Sequence, residues 1–184
     1  MPCGSAFFAI PVSTLTAPGR RSASAGLVGL SSVDVSPGRT SLGRMDKHEF
    51  DQMNSAVITE FRETGGKAGG MFEGKPLVLV HHIGAKSGLE RIAPLVPLLD
   101  GGRIYIFASK GGADTHPDWY RNLVAHPEIT VELGTDTFPA TARVLEGAER
   151  DAVYARQVAA EPQFGEYQRK TERIIPVVEL VRAS

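Results

Sequence analysis

The apolar positions of this chain change period as one reads along it. Beyond Asp46, the residues Phe50, Met53, Val57, Ile58 and Phe61 recur at spacings of three and four, which lays a single apolar stripe along a helix. Asp46 with Glu49 fits a capping box at its start, and Gly65-Gly66 ends it. The period then shortens. Residues 76–83 and 92–99 are short apolar runs suited to buried strands, and in 103–109 Ile104, Ile106 and Ala108 alternate with Tyr105 and Phe107. Turn chemistry separates these runs, first at Gly84-Ala85-Lys86-Ser87-Gly88 and then at Asp100-Gly101-Gly102. Pro117 opens a short helix and Pro127 lies beyond its end. Residues 128–133 and 137–145 read as a hairpin across Gly134-Thr135-Asp136. The stretches 149–160 and 164–170 are helical, and 174–181 is a closing strand.

About six strands, mostly joined by hairpins, with helices before, among and after them, predict an α+β fold. Pro94, Pro97, Pro139 and Pro176 fall inside the strand runs and cannot donate to a ladder, so bulges or open edges are expected there. A small, imperfectly closed antiparallel barrel tolerates such interruptions and still covers its core. Strands alternating with single long helices would indicate a parallel sheet, and that pattern is absent.

Composition divides the chain. Of residues 1–44, 21 are Ser, Thr, Gly or Pro, with four Arg and one acid, Asp34. Such a stretch cannot bury enough apolar surface to offset its ordering entropy. It reads as a disordered tail, or as the product of a start codon placed upstream of Met45, with an organellar transit peptide as the sharper alternative. The domain is then 45–184. No apolar run approaches the ~20 residues that span a bilayer. A net charge of −1 argues against wholesale nucleic-acid binding. The single cysteine, Cys3, excludes an internal disulfide framework and suits a reducing, cytoplasmic compartment.

Three clusters can carry chemistry. In the turn 84–91, Lys86, Ser87 and Arg91 project from a Gly-flanked bend whose backbone N–H groups, Ala85 included, suit a phosphate or a polycarboxylate; a solvated hairpin turn is the plainer reading. Ala108-Ser109-Lys110-Gly111-Gly112 ends a strand with small residues that let a ligand lie against the backbone, or forms an ordinary flexible loop. His116-Pro117-Asp118-Trp119-Tyr120-Arg121-Asn122-Leu123 places a Trp, a Tyr and an Asn on one helix. That helix could wall a pocket for a planar ring, while core packing competes for Trp119 and Leu123. His81 and His82 are adjacent on a strand and point to opposite faces, and His48 and His126 have no ligand-spaced partner, so no metal site is expected. The Gly-rich loop 67–74 fits neither dinucleotide nor Walker patterns, and no G-x-S-x-G elbow occurs.

Taken together, these clusters resemble the deazaflavin (coenzyme F420)-dependent nitroreductase and quinone reductase family of mycobacteria and related actinobacteria. The resemblance runs from about Phe50 to Leu180. It rests on Glu60-Phe61-Arg62 with Gly65-Gly66-Lys67, the turn 84–91, Ala93-Pro94-Leu95, the segment 108–112, His116-Pro117 with Trp119-Tyr120 and Asn122-Leu123, and Glu166-Tyr167-Gln168 with Ile175-Pro176-Val177-Val178. It implies a split β-barrel, related to the FMN-binding fold, that holds F420 in a groove. Lys86 and Arg91, with Ala85 and Ser87, would meet the cofactor's phosphate and glutamyl tail. Pro94, Ala108, Ser109, Lys110, Gly111, Trp119, Tyr120 and Asn122 would line the deazaflavin and its ribityl chain. The reduced deazaflavin donates hydride to a quinone or nitroaromatic acceptor, and Ser109 and Tyr167, with Tyr120 behind them, would supply donors to the acceptor oxygen. Family members place several tyrosines at the acceptor, whereas here 161–167 keeps only Tyr167.

Family members also use an apolar N-terminal helix for peripheral membrane contact. For this chain, packing of the Phe50, Met53, Val57, Phe61 stripe onto the barrel is the favoured reading, because Asp46, Glu49, Asp51, Glu60 and Glu63 would repel anionic lipid. The same cations would suit FMN, so an FMN-dependent oxidoreductase on the same kind of barrel and a non-catalytic F420 carrier are the competing functions. A monomer or weak homodimer is expected.

Overall fold

The computed structural model describes residues 47–183, and among these the side chains from residue 51 onward. The tail 1–44, Met45 and the proposed cap at Asp46 lie outside the described residues. In chain order the elements are α1 (Lys47–Glu63), a 3-10 turn (Gly70–Phe72), β1 (Val78–Ile83), β2 (Glu90–Leu95), β3 (Leu98–Asp100), β4 (Arg103–Phe107), a second 3-10 turn (Lys110–Gly112), α2 (Asp118–Ala125), β5 (Glu128–Leu133), β6 (Asp136–Leu145), α3 (Gly147–Ala160), α4 (Gln163–Arg169) and β7 (Val177–Arg182).

The strands form one antiparallel sheet in the order β2-β1-β5-β6-β7-β4-β3. Its two edges, β2 and β3, are consecutive in the chain and are separated only by Val96-Pro97. Two intervening residues reach no more than ~10 Å, so the sheet must curl until its edges nearly meet. This corrects the expected strand number. The run 92–99 is not one strand: its first half pairs with β1 (Leu79 opposite Pro94) and its second with β4 (Leu98 opposite Tyr105). Pro97, with no N–H to offer, marks the break, and seven strands result. Pro139 stands in β6 where β7 gives out, its carbonyl accepting from the Ala183 N–H at 3.0 Å, so the donor it lacks faces the frayed end of its neighbour.

Each strand divides its side chains between the barrel interior and an outer layer. Val78 and Val80 of β1 face inward with Ile104, Ile106, Val131, Phe138, Val178 and Leu180. Leu77 and Leu79 face outward onto Val57 and Phe61 of α1. Both faces of β1 are covered, which explains its unbroken apolar run. Phe61 is 1% exposed, and Val57, Ile58 and Phe61 of the stripe pack on the barrel, as the favoured reading has it for these three; the Phe50 side chain lies outside those described. A second outer cluster joins Tyr105 and Phe107 of β4 to Val153 and Tyr154 of α3, Phe164 of α4, and Ile175 and Val177. Two side chains fix α3 to the segments after it. The buried Arg150 donates to the Ile175 carbonyl through Nε (2.9 Å) and Nη2 (2.6 Å), and the Tyr154 hydroxyl donates to the Phe164 carbonyl at 2.8 Å. No described helix is long and apolar enough to cross a membrane.

Candidate functional site in the split of the barrel

Beyond Val96-Pro97, β2 pairs only with β1 while β4 continues to Phe107 alongside β7, so the two strands part. A cavity of about 410 Å³ occupies that opening. Its floor is Pro94, Leu95 and Val96 from β2 and the break, with Phe107 and Ser109 from β4 and the loop after it. One wall is Met71, Phe72 and Lys75 from the loop after α1, and the other is Gln163, Phe164 and Tyr167 from α4. Pro94 lies opposite Leu79, an outward residue, and Phe107 belongs to the outer cluster of α3 and α4. The cavity therefore lies outside the barrel, between the two helical layers. It is mostly apolar, with the polar groups of Ser109, Tyr167, Gln163 and Lys75 set around it.

Ser109 begins a loop that makes almost no ladder contact. Lys110 (φ 47°), Gly111 (φ 63°) and Gly112 (φ 83°) are all left-handed, and Lys110 is the one non-glycine with positive φ among the described residues. Its Nζ donates to the Thr115 hydroxyl at 3.0 Å. Arg173 holds the loop from below: Nε donates to the Ala113 carbonyl at 2.7 Å, and Nη2 donates to the carbonyls of Ala108 (3.0 Å) and Ser109 (2.8 Å). Nη1 lies 3.2 Å from Nδ1 of His116, whose pKa is lowered by burial and by the Arg173 and Arg121 charges. Gly112 presses on α4, where a Cβ would lie 2.7 Å from the Tyr167 carbonyl oxygen.

The turn between β1 and β2 lies at the opposite end of β2 from Pro94 and Leu95, which pair with Leu79 and Val78 at the start of β1; β4, antiparallel to β3, leads from Leu98 back in the direction of that turn. Lys86 and Arg91 are exposed on that turn and form no ion pair among the described residues. Asn122 of α2 locks it: Oδ1 accepts from the Ala85 N–H at 2.9 Å, and Nδ2 donates to Nδ1 of His82 at 3.0 Å. With its carbonyl taken by Ala85, the Asn122 amide can only donate to His82, which must therefore carry its proton on Nε2. His82 is 4% exposed, and burial, with the Arg91 and His81 charges adding to it, lowers its pKa to about 4. Its unfolded value lies near 6.5, so the unfolded chain takes up this proton first and stability falls as pH drops from about 6.5 to about 4. His82→Gln is expected to flatten that part of the profile. Equal slopes for the two proteins in thermal melts across this window would refute the assignment. His81 faces outward, between Glu90 (2.8 Å) and Glu132 (2.7 Å), while Arg62 donates to the same Glu132.

Of the residues singled out from the sequence, Pro94, Ser109 and Tyr167 meet in the cavity. Ala108, Lys110 and Gly111 flank it through the loop. Ala85, Ser87, Lys86 and Arg91 form the turn, where the Ser87 hydroxyl accepts from the Leu89 N–H at 3.4 Å. Trp119, Tyr120 and Asn122 do not line the cavity. Trp119 and Tyr120 pack on the barrel interior, with the Tyr120 ring 4.9 Å from His116, and both groups of the Asn122 amide serve the turn and His82. Leu95, a neighbour of Pro94, lines the cavity with it, and Met71, Phe72, Lys75, Val96, Phe107, Gln163 and Phe164 join the lining without having been candidates from the sequence. The apolar pair Met71-Phe72 between glycines is a signal for the first two, as is the outward alternation of Phe107 for that residue.

Comparison with known proteins agrees with this architecture. A solved F420-H2 dependent reductase (FDR-A) superposes with a TM-score of 0.53 at 44% identity, covering 57% of this chain and 93% of its own. A second solved chain, described as a domain-swapped dimer, gives a TM-score of 0.55 at 38% identity over 73% of this chain and 99% of its own. An F420H(2)-dependent quinone reductase of Mycobacterium tuberculosis H37Rv is 36% identical over 142 residues, which is 75% of this chain and 95% of that protein. The family's description names the reduced deazaflavin as the cofactor, so FMN is not needed to account for the barrel. The profile of the F420H(2)-dependent quinone reductases matches residues 54–182, and the chain belongs to that family.

Proposed function

We propose that this chain uses F420H2 to reduce a quinone in the cavity between β2 and β4, and that the turn 84–91 holds the cofactor's anionic tail. The observation that carries this reading is that β2 joins an apolar cavity with two hydroxyls, Ser109 and Tyr167, to a turn bearing two cations that form no ion pair among the described residues. The residues present fit the cofactor. A cavity of about 410 Å³ lies within the range of small-molecule sites, and planar or flat apolar groups (Pro94, Phe72, Phe107, Phe164) suit a ring system. Lys86 and Arg91 suit a phosphate and a polycarboxylate chain.

When bound, F420H2 supplies a hydride. The chain's own residues then have three tasks. Pro94, Leu95 and Val96 form a surface on which a ring can be oriented, and orientation is the larger part of what such a site contributes. The apolar side chains from both walls keep water from the reacting face. The Ser109 and Tyr167 hydroxyls donate to the acceptor oxygen as negative charge builds on it. Tyr120 supports this arrangement from behind, through His116 and the Arg173-held loop. Nitroaromatics are a second acceptor class for the same two-electron chemistry. Val57 and Phe61 of α1 are already used against the barrel, so these two side chains are not available to seat the enzyme on a membrane; a monomer or weak homodimer is the assembly proposed.

A fluorescence titration of the full chain with F420, beside FMN, tests the reading. Binding of F420 alone is expected. Replacing Lys86 and Arg91 together by Ala should weaken F420 by about tenfold or more, since each removes a charge-assisted contact, with little change in melting temperature. Unchanged affinity would remove the tail site from the turn, and preferential FMN binding would overturn the cofactor assignment.

A further inference from the structure

Lys75 stands at the rim of the cavity with Nζ 3.0 Å from Oε2 of Glu161. Among the residues that line the cavity it is the one that carries a charge. Each partner is held by its own backbone. The Lys75 N–H donates to the Phe72 carbonyl at 3.0 Å. Glu161, where α3 ends, donates its N–H to the Gln157 carbonyl at 2.7 Å and accepts from the Phe164 N–H at 3.0 Å. The ion pair thus links the two walls, which belong to segments 86 positions apart in the chain. Both side chains keep about a third of their surface in solvent (30% and 32%), and a pair so exposed is readily exchanged for another anion.

We propose that Lys75 is a specificity-determining residue of this site, selecting acceptors that carry an ionised oxygen, and that Glu161 competes for the same ammonium. An ammonium at the edge of an apolar cavity is the one strong anchor available there, and the Glu161 carboxylate already occupies the place an acceptor's enolate or carboxylate would take. The preferred acceptor class is accordingly a quinone bearing an ionised hydroxyl or a carboxyl group. This inference rests on the reading of the cavity as the acceptor site.

Calorimetric titration of the full chain, with oxidised F420 present and absent, tests it with two probes: a hydroxynaphthoquinone that is an anion at neutral pH, and uncharged menadione. The wild type is expected to prefer the anion. K75M should weaken the anion by about tenfold and menadione by less than about threefold, K75R should keep the preference, and E161Q should tighten the anion by about threefold by removing its competitor. The opposite signs are diagnostic, because a merely structural clasp would make K75M and E161Q weaken both probes together. Such parallel losses, or a wild type without preference, would overturn the proposal. K75Q replaces K75M if the latter does not fold. A wild-type chain that fails to oxidise F420H2 with menadione would count against the quinone reductase reading itself, while the affinity ratios would still decide for or against Lys75.

Discussion

Gly112→Ala is expected to destabilise the protein by about 3 kcal/mol and to cut turnover far more than the same change one residue earlier. Two costs combine. A left-handed φ of 83° costs an L-residue about 1–2 kcal/mol, and forcing a methyl into packed surroundings adds about 1–3. The new Cβ would lie 2.7 Å from the Tyr167 carbonyl oxygen, 2.9 Å from the Lys170 Cβ and 3.1 Å from the Tyr167 Cα. Two of those atoms are helix backbone, so α4 must move, and the Tyr167 hydroxyl moves with it. A displacement near 1 Å at a hydrogen-bond donor can cost about 100-fold in rate. Gly111 is the internal control: it too is left-handed (φ 63°), but a Cβ there meets open space, so Gly111→Ala should cost only about 1 kcal/mol. Melting curves and kcat for the two variants decide the matter. Equal effects would mean that the loop does not bear on α4.

Arg173→Met is expected to cost about 2–4 kcal/mol and to reduce kcat/KM with quinone about 100-fold, because it strips the carbonyls of Ala108, Ser109 and Ala113 of one shared donor. The loop they belong to has three consecutive left-handed residues and would not hold that shape unaided. Burial lowers the Arg173 pKa, yet a guanidinium stays charged in proteins, so the desolvation is offset by the dipoles of these carbonyls. Arg173→Lys should recover little, since one ammonium cannot span three carbonyls in a plane. Thermal melts and steady-state kinetics check both variants, and a Lys variant with wild-type kinetics would show that charge alone, rather than the fork, is what the loop needs.

The strand pattern was legible because the barrel has two differently covered faces. In β4, Ile104 and Ile106 turn inward while Tyr105 and Phe107 turn outward, and the alternation is written in the sequence. The break at Val96-Pro97 was not legible, since an apolar run looks the same whether one neighbour or two pair with it. The same break explains which residues of the cavity lining could be read from the sequence. Ser109 and Pro94 announce themselves through flanking glycines and a proline in a strand. Phe72, Lys75 and Phe164 come from segments brought together only by the parting of β2 and β4, and no local period records that. Asn122 carried a signal of another kind: an amide beside aromatics suggested a ligand, and its hydrogen-bond partners within the chain, the Ala85 N–H and His82, lie too far away in sequence for any local pattern to announce them.

The position of β7 bears on how the chain is made. β7 lies between β6 and β4, yet it is synthesised after every strand it joins. Until residues 177–182 leave the ribosome, the hairpin of β3 and β4 has no neighbour on its β7 side, and the edge of β4 that faces β7 stays open. Closure is therefore a late event that depends on contacts distant in sequence, the kind that slows folding and leaves a strand edge open to other nascent chains. The β1–β2 hairpin that carries the cations pairs locally and can form early, its lock by Asn122 following with α2, whereas the cavity, which needs α4 and the Arg173-held loop, is completed only as translation passes them.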